Sequence, residues 1–541
     1  MKKQRLKKFT NKNTGSNFNA PIERCLKTQS DYYEQGVYLE EQAERWFLSD
    51  IKKTLKFIYQ ALIIYDQGLT IKADYIKDSY SIEYNRLRLL LKCHSDYICA
   101  DGYINIINYV KDLDKDLLQV VFPGLKAIIL GFENMYNKYS YQQGESMLSW
   151  DFYFNYLTCL SIYIDTNEDY QITGGDLIEL MAKFVTLTQK LIITEIGFLE
   201  NFSAQHAQFT DEDYGDESKY EKDNVDQLRY NVTTGDGIKT NNVSSGVVAA
   251  NSNAEIMEMS DNITVESLIE TLILAYNFIF AVYELTLNNS AENINLIQRN
   301  YIQDFLNKFY LQLNDICGNA ILNDYRDKNI ELTMAINSIM MLKEYNNFEL
   351  IKRKFTDIID NANATELALE TLLYGIDFLQ LILDICCSNN GGEHDYSIYT
   401  WDEQWTLSNL LNKYLVAAQK KLTIFRNSIL QGTLKDSDNQ LSPTVFKLCE
   451  VMINRATNEE FRILLQINKQ EGKEKQAENG EKSASKTISI LKKNRVILLT
   501  NAKNIASLPC GFREYINNKL ERNYIFLQAN DALESLENQG L

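Results

Sequence analysis

Residues that interrupt regular structure are scarce in this chain. Its 541 residues include only 4 prolines and 23 glycines, both below average usage. An all-β chain needs a turn signal about every ten residues, so this scarcity excludes a sheet protein and favours long helices. Since 45% of the residues are hydrophobic, the chain has enough apolar material for a large core, which excludes wholesale disorder.

Residues that commonly carry catalysis are also few. The three histidines, His94, His206 and His394, lie far apart in the sequence, and none is paired with a plausible nucleophile. Cys93 directly precedes His94, but adjacent residues on a helix point about 100° apart. No glycine-rich phosphate-binding loop follows a predicted strand. We therefore predict that the chain is not an enzyme and needs no cofactor.

Segments typical of secretion or of a membrane span are missing. The longest uncharged apolar stretch, between Glu270 and Glu284, has 13 residues, fewer than the ~20 that span a bilayer. The nine cysteines are scattered without a CxxC pair, as reduced thiols of an intracellular protein are. We predict a soluble, cytoplasmic or nuclear protein. The lysines of its first 22 residues are either a nuclear import signal or part of a solvated tail.

Positive charge is in deficit, because 55 lysines and arginines face 73 aspartates and glutamates, for a net charge of −18. Such a surface repels nucleic acids and anionic membranes, so we expect neither as a partner. It attracts basic proteins and raises the rate at which they are encountered. The charge therefore predicts that the partners are other proteins, with basic clients favoured.

Helical periodicity dominates what is present. Between Glu41 and Asp66, apolar residues recur at three- and four-residue steps, and the same period returns from Leu177 to Phe198 and from Trp405 to Leu430. No convincing set of alternating strands accompanies it. The sequence predicts an all-α fold, and amphipathic helix pairs of this size bury both faces when they stack into a helical-hairpin solenoid.

Two polar segments divide the chain into predicted blocks. The first is acidic between Asp211 and Asp226 and then rich in Asn, Gly, Ser and Thr, a composition too polar to offset the entropy of an ordered chain. The second lacks aromatic residues. The predicted organisation is a basic tail (1–28), helical repeats (29–202), a disordered acidic and polar insertion (203–261), a continuing helical block (262–467), a polar linker (468–486) and a C-terminal helical pair (487–541).

The stretch WFLSDIKKTLKFIYQALIIYDQGL resembles part of a tetratricopeptide repeat (TPR), in which two helices of a 34-residue unit are joined by a turn. Asp50 and Ile51 match the turn, and Ala61 matches the small residue at which the helices approach. Tyr84-Asn85 and Phe154-Asn155 resemble the aromatic-Asn pair of two further first helices. The resemblance covers residues 29–202 and implies a TPR-like solenoid. The sequence departs from the family by its bulky Leu87 and by the absence of a closing proline.

The resemblance also implies a binding site. TPR grooves bind acidic C-terminal tails through Lys, Arg and Asn on their first helices, where this sequence places Asn85, Arg86 and Arg88. We predict these three residues as partner-binding residues. The alternative is that the arginines are solvated and that Asn85 is structural.

A segment between two predicted helices, DTNEDYQITGGD from Asp165 to Asp176, resembles an EF-hand calcium loop. Its oxygen-bearing residues fall at most ligand positions, but Tyr170 stands where the sharp turn requires glycine, and Asp176 stands where a bidentate glutamate is usual. We interpret the segment as an interhelical turn in which Thr173 or Asp176 caps the next helix, and predict no metal site.

These observations predict a non-catalytic scaffold or assembly chaperone for a basic client of the ribosomal-protein or histone class. The acidic residues between Asp211 and Asp226 either shield such a client or only solvate the chain. The alternative function is a structural subunit of a larger complex, with its helical faces covered by partner proteins. A third option, a calcium-regulated protein, depends on the segment from Asp165 to Asp176.

Overall fold

The computed structural model describes residues 26–100, 102–143, 148–166, 172–210, 263–287, 294–322, 325, 329–361, 367–387, 398–434, 440–471, 478–510 and 514–538. Within these ranges the regular elements are helices, with an isolated bridge between Ala100 and Ile104 and no strand. The all-α prediction is therefore confirmed.

The α-helices follow the chain in this order: α1 (Gln29–Phe47), α2 (Ile51–Thr70), α3 (Ile76–Cys93), α4 (Lys115–Val121), α5 (Leu125–Gln143), α6 (Trp150–Asp165), α7 (Gly174–Thr210), α8 (Val265–Leu287), α9 (Leu296–Cys317), α10 (Ile330–Lys343), α11 (Phe348–Asn361), α12 (Leu369–Cys387), α13 (Trp401–Leu430), α14 (Leu441–Glu471), α15 (Glu478–Ala506) and α16 (Ile516–Asn538). A π-helix (His94–Ile98) continues α3, and short 3-10 helices occupy Ile106–Tyr109 and Ala320–Leu322.

The chain divides into two compact units, each assembled from several stretches of sequence. The first unit comprises residues 1–147, 436–446 and 506–528, and the second comprises residues 148–435, 447–505 and 529–541. The blocks predicted from composition are consecutive in sequence, whereas these units are not. The block boundaries accordingly stay a prediction.

In the first unit, α1 and α2 form a close hairpin about the turn predicted at Asp50. The Asp50 side chain caps α2 by accepting a hydrogen bond from the backbone N–H of Lys53 at 3.1 Å. Gly36 of α1 lies against the Tyr65 ring of α2, since a Cβ added at Gly36 would stand 2.1 Å from Tyr65 Cε1. Tyr65 is fully buried, so α1 and α2 approach closely at Gly36. Ala61 is also fully buried, and its match to the small residue of a TPR stays a prediction.

After α3, which packs on both α1 and α2, the chain departs from a regular hairpin series. The π-helix leads into an irregular segment that reaches to Asp114 before α4 begins. Tyr97 of the π-helix is buried, and its ring meets those of Phe47 and Phe122 edge-on at 6.3 and 6.2 Å between centroids. This aromatic anchoring holds the irregular segment against the end of α1.

In the second unit, α8 is the central helix. It contacts α6, α7, α9 and α10, and its Phe278 stacks on Phe184 of α7 with the ring centroids 3.6 Å apart. Among the described residues, α8 is also the helix that is long and apolar enough to cross a membrane, but 61% of its most apolar window is buried inside the structure. Such burial is what a core helix has. The 13-residue stretch identified from the sequence is thus part of a 23-residue helix.

Further along the second unit, α14 lies between α13 and α15. Its residues Asn458 and Arg462 bond to Ser408 and Asn409 of α13. The opposite side of α14 carries Ala456, which packs with Leu498 and Leu499 of α15. Since α13 and α15 pack on opposite faces of α14, each of them keeps a face that α14 does not cover.

Several helix ends differ from the predicted boundaries. Helix α7 runs to Thr210, past residue 202, and α14 and α15 extend into the predicted 468–486 linker. The reason is composition, because Ala, Gln, Glu and Lys propagate a helix even where they bury nothing. The basic tail up to residue 25 and the acidic segment 211–226, predicted to be disordered, lie outside the described residues.

Candidate functional site

The structure brings the predicted binding residues Asn85, Arg86 and Arg88 together on α3, but it engages both arginines internally. Arg86 Nε donates to Asp66 Oδ1 of α2 at 2.5 Å, and Arg88 Nη2 donates to Glu40 Oε2 of α1 at 2.8 Å. Asn85 accepts from Arg88 Nε at 3.2 Å. These contacts join α1, α2 and α3, so the arginines are ion-paired and not merely solvated. The role of the three residues in binding acidic tails stays a prediction.

Glu40 is the centre of this network. The Tyr65 hydroxyl donates to its other carboxylate oxygen at 2.5 Å, so both oxygens have donors. Burial raises the pKa of Glu40, while Arg88 and Tyr65 oppose the rise. Arg88 is half-buried and held by its ion pair with Glu40. Its charge is therefore poorly placed to bind the carboxylate of a partner's tail.

At the segment that resembles an EF-hand, the expected cap is present. The Thr173 hydroxyl accepts from the backbone N–H of Asp176 at 3.3 Å and donates to the Asp176 carboxylate at 2.7 Å, at the start of α7. Burial raises the pKa of Asp165 to about 6, which disfavours the ionised form that calcium requires. Residues 167–171 of the segment lie outside the described residues.

One cysteine-histidine contact was not predicted from the sequence, because its residues, His94 and Cys99, are not adjacent. The π-helix turns through His94–Ile98, and it places Cys99 Sγ 3.6 Å from His94 Nε2. Burial lowers the pKa of His94, so its imidazole is held neutral. His206 and His394 have no described side chains.

A cleft of about 250 Å³ opens in the first unit where the end of α1, the π-helix and the start of α16 meet. The backbone N–H of Ile516 donates to the carbonyl of Leu48 at 3.1 Å, which fixes the start of α16 beside α1. Residues from all three elements line the cleft, among them Phe47, Leu48, Asp96, Ala100, Asn517 and Glu521.

A buried ion pair holds the start of α16 in this position. Arg522 donates through two nitrogens to the carboxylate of Glu514, at 2.7 and 2.9 Å, and through a third to the carbonyl of Ala506 at 2.5 Å. Ser442 donates to the same carboxylate at 2.9 Å. Burial opposes ionisation of Glu514, but these hydrogen bonds outweigh it and hold the pKa below its ordinary value.

Comparison with known proteins places the chain in a family. It is 34% identical over 543 residues to a Saccharomyces cerevisiae protein described as "Uncharacterized protein YNL193W", and the match covers 96% of this chain and 92% of that one. Two family models also match, "YNL193W-like protein middle domain" at residues 168–344 and "YNL193W C-terminal domain" at residues 361–541. The chain belongs to the YNL193W-like family.

Among solved structures, a designed protein titled "Circular tandem repeat protein with novel repeat topology and enhanced subunit contact surfaces" matches 95% of this chain and 98% of its own length. The sequence identity is 9% and the TM-score 0.25. A TM-score this low does not establish a common fold.

Three of the polar residues that line the cleft in this YNL193W-like chain carry acceptor oxygens that matter for binding. Asp96 and Glu521 present carboxylates, and the amide oxygen of Asn517 is buried without a hydrogen-bond partner among the described residues. Burial raises the pKa of Asp96, and Lys92 opposes the rise. Ionised carboxylates and a carbonyl oxygen accept hydrogen bonds. Ser95, Tyr515 and Asn518 also line the cleft and can donate, so the acceptors of Asp96, Asn517 and Glu521 are the part of the cleft that suits a ligand rich in donors.

The shape of the cleft agrees with that chemistry. Phe47, Leu48 and Ala100 are the apolar residues that line it. A volume of about 250 Å³ is below the ~300–1,000 Å³ of small-molecule sites, and it is large enough to admit one long side chain. Lysine and arginine combine an apolar stem with a cationic head, and thus match both parts.

The cleft of this YNL193W-like chain was not predictable from its sequence. Asp96 and Glu521 are separated by most of the chain, and no local pattern marks either residue. The signal is tertiary, because it arises from the contact of Ile516 with Leu48 and from the ion pair of Arg522 with Glu514. The net charge alone predicted that basic groups are attracted, but it could not predict where on the protein they would bind.

Proposed function

We propose that this YNL193W-like chain is a non-catalytic protein-binding scaffold or assembly chaperone whose client is a basic protein. The observation that carries the proposal is the cleft of the first unit, which is lined by the acceptors of Asp96, Glu521 and Asn517 and by the apolar Phe47, Leu48 and Ala100. The net charge of −18 adds a long-range attraction for such clients. Proteins of the ribosomal or histone class carry the required side chains, and the proposed site of action is the cytoplasm or nucleus.

In the proposed complex a lysine or arginine of the client enters the cleft. Its aliphatic stem lies on Phe47 and Leu48, and its head donates to Asp96, Asn517 and Glu521. Hydrogen bonds between charged partners are roughly twice as strong as neutral ones. Because the two carboxylates are half-buried, we expect the affinity for the client to fall when their charge is removed. The scaffold around the cleft is proposed to be a TPR-like series of hairpins, which the α1–α2 pair and the packing of α3 on it support.

The test is a binding titration of the full chain with a synthetic peptide that alternates lysine or arginine with apolar residues. The variant Asp96→Asn/Glu521→Gln removes both carboxylate charges from the cleft. The control Asp74→Asn/Asp116→Asn removes the same charge from exposed positions of the first unit. We expect the cleft variant to bind about tenfold more weakly, and the control to change affinity less than about twofold.

Equal losses in the two variants would show that overall charge and not the cleft attracts the peptide, and would refute the assignment. Salt gives a second criterion, because exposed charges are screened within about 8 Å at physiological ionic strength. Affinity for the basic peptide should fall steeply between about 0.05 M and 0.5 M salt. Affinity that persists at high salt contradicts a charge-driven client.

A second candidate function, a structural subunit of a larger complex, is favoured by a different observation. At the start of α9 in the second unit, Leu296 is 72% exposed and Ile297 is 82% exposed, and Tyr301 one turn later is 52% exposed. Large apolar side chains grouped on one surface are typical of protein interfaces. Partners captured from cells that remain bound at high salt, and are lost with Ile297→Ser, would favour this function.

A further inference from the structure

Charge is distributed unevenly along the chain. Between Lys482 and Arg513 the sequence holds seven lysines and arginines and no aspartate or glutamate, in a protein of net charge −18. Helix α15 occupies most of this stretch. The local charge is thus opposite to that of the whole molecule, which indicates a surface with a different kind of partner from the cleft.

The buried side of α15 accounts for only half of its apolar residues. The residues that pack into the second unit are Leu491, Leu498, Leu499 and Ala502. Arg495 also turns inward and pairs with Glu460 of α14 at 2.5 Å. Packing within the unit therefore explains one face of the helix and one of its cations.

The outward side of α15 carries a second apolar and basic series. Lys486, Ile490, Lys493 and Ile497 follow one another at steps of four, three and four residues, so they form one stripe on the helix. All four are exposed, and the isoleucine side chains are 50% and 57% exposed. We refer to these four residues as the α15 stripe.

We propose that the α15 stripe docks an acidic amphipathic helix of another protein. Isoleucines seven residues apart offer two apolar knobs on the seam of a helix pair. The lysines occupy the intervening positions of the same seam, where their stems add apolar surface and their ammonium groups reach to its rim. A helix with apolar residues at three- and four-residue steps, flanked by glutamates or aspartates, is complementary in shape and in charge.

Other occupants fit the stripe less well. A membrane of anionic lipids would attract the stripe but repel the remainder of a chain of net charge −18, and the stripe lacks the aromatic residues of interfacial helices. The acidic segment 211–226 of this chain has the right charge. Its apolar residues, however, are only Tyr214, Tyr220 and Val225, too few and too far apart to cover two isoleucines.

The test uses the full chain and a synthetic helical peptide of about three heptads with leucine at the core positions and glutamate beside them. Ile490→Ser/Ile497→Ser should weaken its binding at least about tenfold, because two apolar contacts are lost. Lys486→Glu/Lys493→Glu should weaken it by a similar factor at low salt, and less at high salt. Lys420→Glu/Ile424→Ser on α13 is the matched control, since these residues are also exposed at a four-residue step. It should change affinity less than about twofold.

Three results would overturn the proposal. The first is a peptide affinity unchanged by both pairs of stripe substitutions, or reduced equally by the α13 control. The second is binding to vesicles that contain phosphatidylserine which the stripe substitutions abolish, because a lipid surface would then be the occupant. The third is a chain lacking residues 211–226 that binds the peptide more than about tenfold more tightly, because the chain's own segment would then cover the stripe. Because the substituted residues are exposed, unchanged thermal melting confirms that each variant is folded.

Discussion

A single buried carboxyl in the second unit should make stability fall as pH rises. Glu195 of α7 is fully buried, and its Oε1 accepts a hydrogen bond from Thr271 of α8 at 3.2 Å. Burial raises the pKa of Glu195 to about 8, with the hydroxyls of Thr271 and Ser267 opposing the rise and Glu270 adding to it. The folded protein therefore keeps this proton at neutral pH, whereas the unfolded chain releases it near pH 4.5.

The size of the effect follows from linkage between proton binding and folding. Between pH 4.5 and 8 the folded state binds about one more proton at this site, so the free energy of unfolding falls by up to ~1.4 kcal/mol per pH unit. The contribution is fully present below the unfolded pKa and is lost as the pH rises to the folded pKa. From pH 5 to pH 7 the loss is about 2–3 kcal/mol, an upper bound because water penetration reduces it.

Urea unfolding at several pH values tests this with Glu195→Gln. Glutamine keeps an acceptor for Thr271 but has no charge, so the variant should gain stability over the wild type progressively from pH 5 to pH 8. Glu200→Gln, an exposed position on the same helix, should follow the wild type at every pH. The difference between midpoints is informative because every other titrating group cancels in it. A constant difference across this range would refute the buried, protonated state of Glu195.

Three further substitutions test packing in the first unit, and a fourth serves as a control. Gly36→Ala should destabilise this unit by about 1–3 kcal/mol in thermal melting, because its methyl group would overlap the buried ring of Tyr65. The control Gly197→Ala on α7, where the added methyl group meets open space, should instead stabilise by up to about 1 kcal/mol. Arg522→Ala should cost about 3–5 kcal/mol in urea unfolding, since it leaves the carboxylate of Glu514 buried without its partner. Because the pKa of Glu514 is lowered, the wild-type contribution is present above pH 4.5 and lost as the pH falls through the folded pKa, so the cost should shrink in acid. Thr28→Ala removes the capping box of α1 and should cost about 1 kcal/mol, seen as faster hydrogen exchange in the first turn of α1 but not of α2.

The fold class was predictable because its determinants are local. Helical periodicity and the turn at Asp50 are each visible within one or two turns of sequence, and the structure follows them in α1 and α2. The partners of charged residues were not predictable. Arg88 reads as an exposed cation until α1 is packed beside α3 and brings Glu40 to it. The π-helix was not predictable for the same reason, since the burial of Tyr97 between Phe47 and Phe122 is a tertiary contact.

Net charge and local charge lead us to propose two different partners for this molecule, each at its own set of residues. The net charge of −18 acts at long range and favours basic proteins, and the acceptors of the cleft continue that preference at contact distance. The α15 stripe carries positive charge, so its lysines would repel the basic partner proposed for the cleft. The two proposed sites share no residue, so neither proposed partner would compete for the other's contacts. Composition alone would have predicted the first partner and concealed the second.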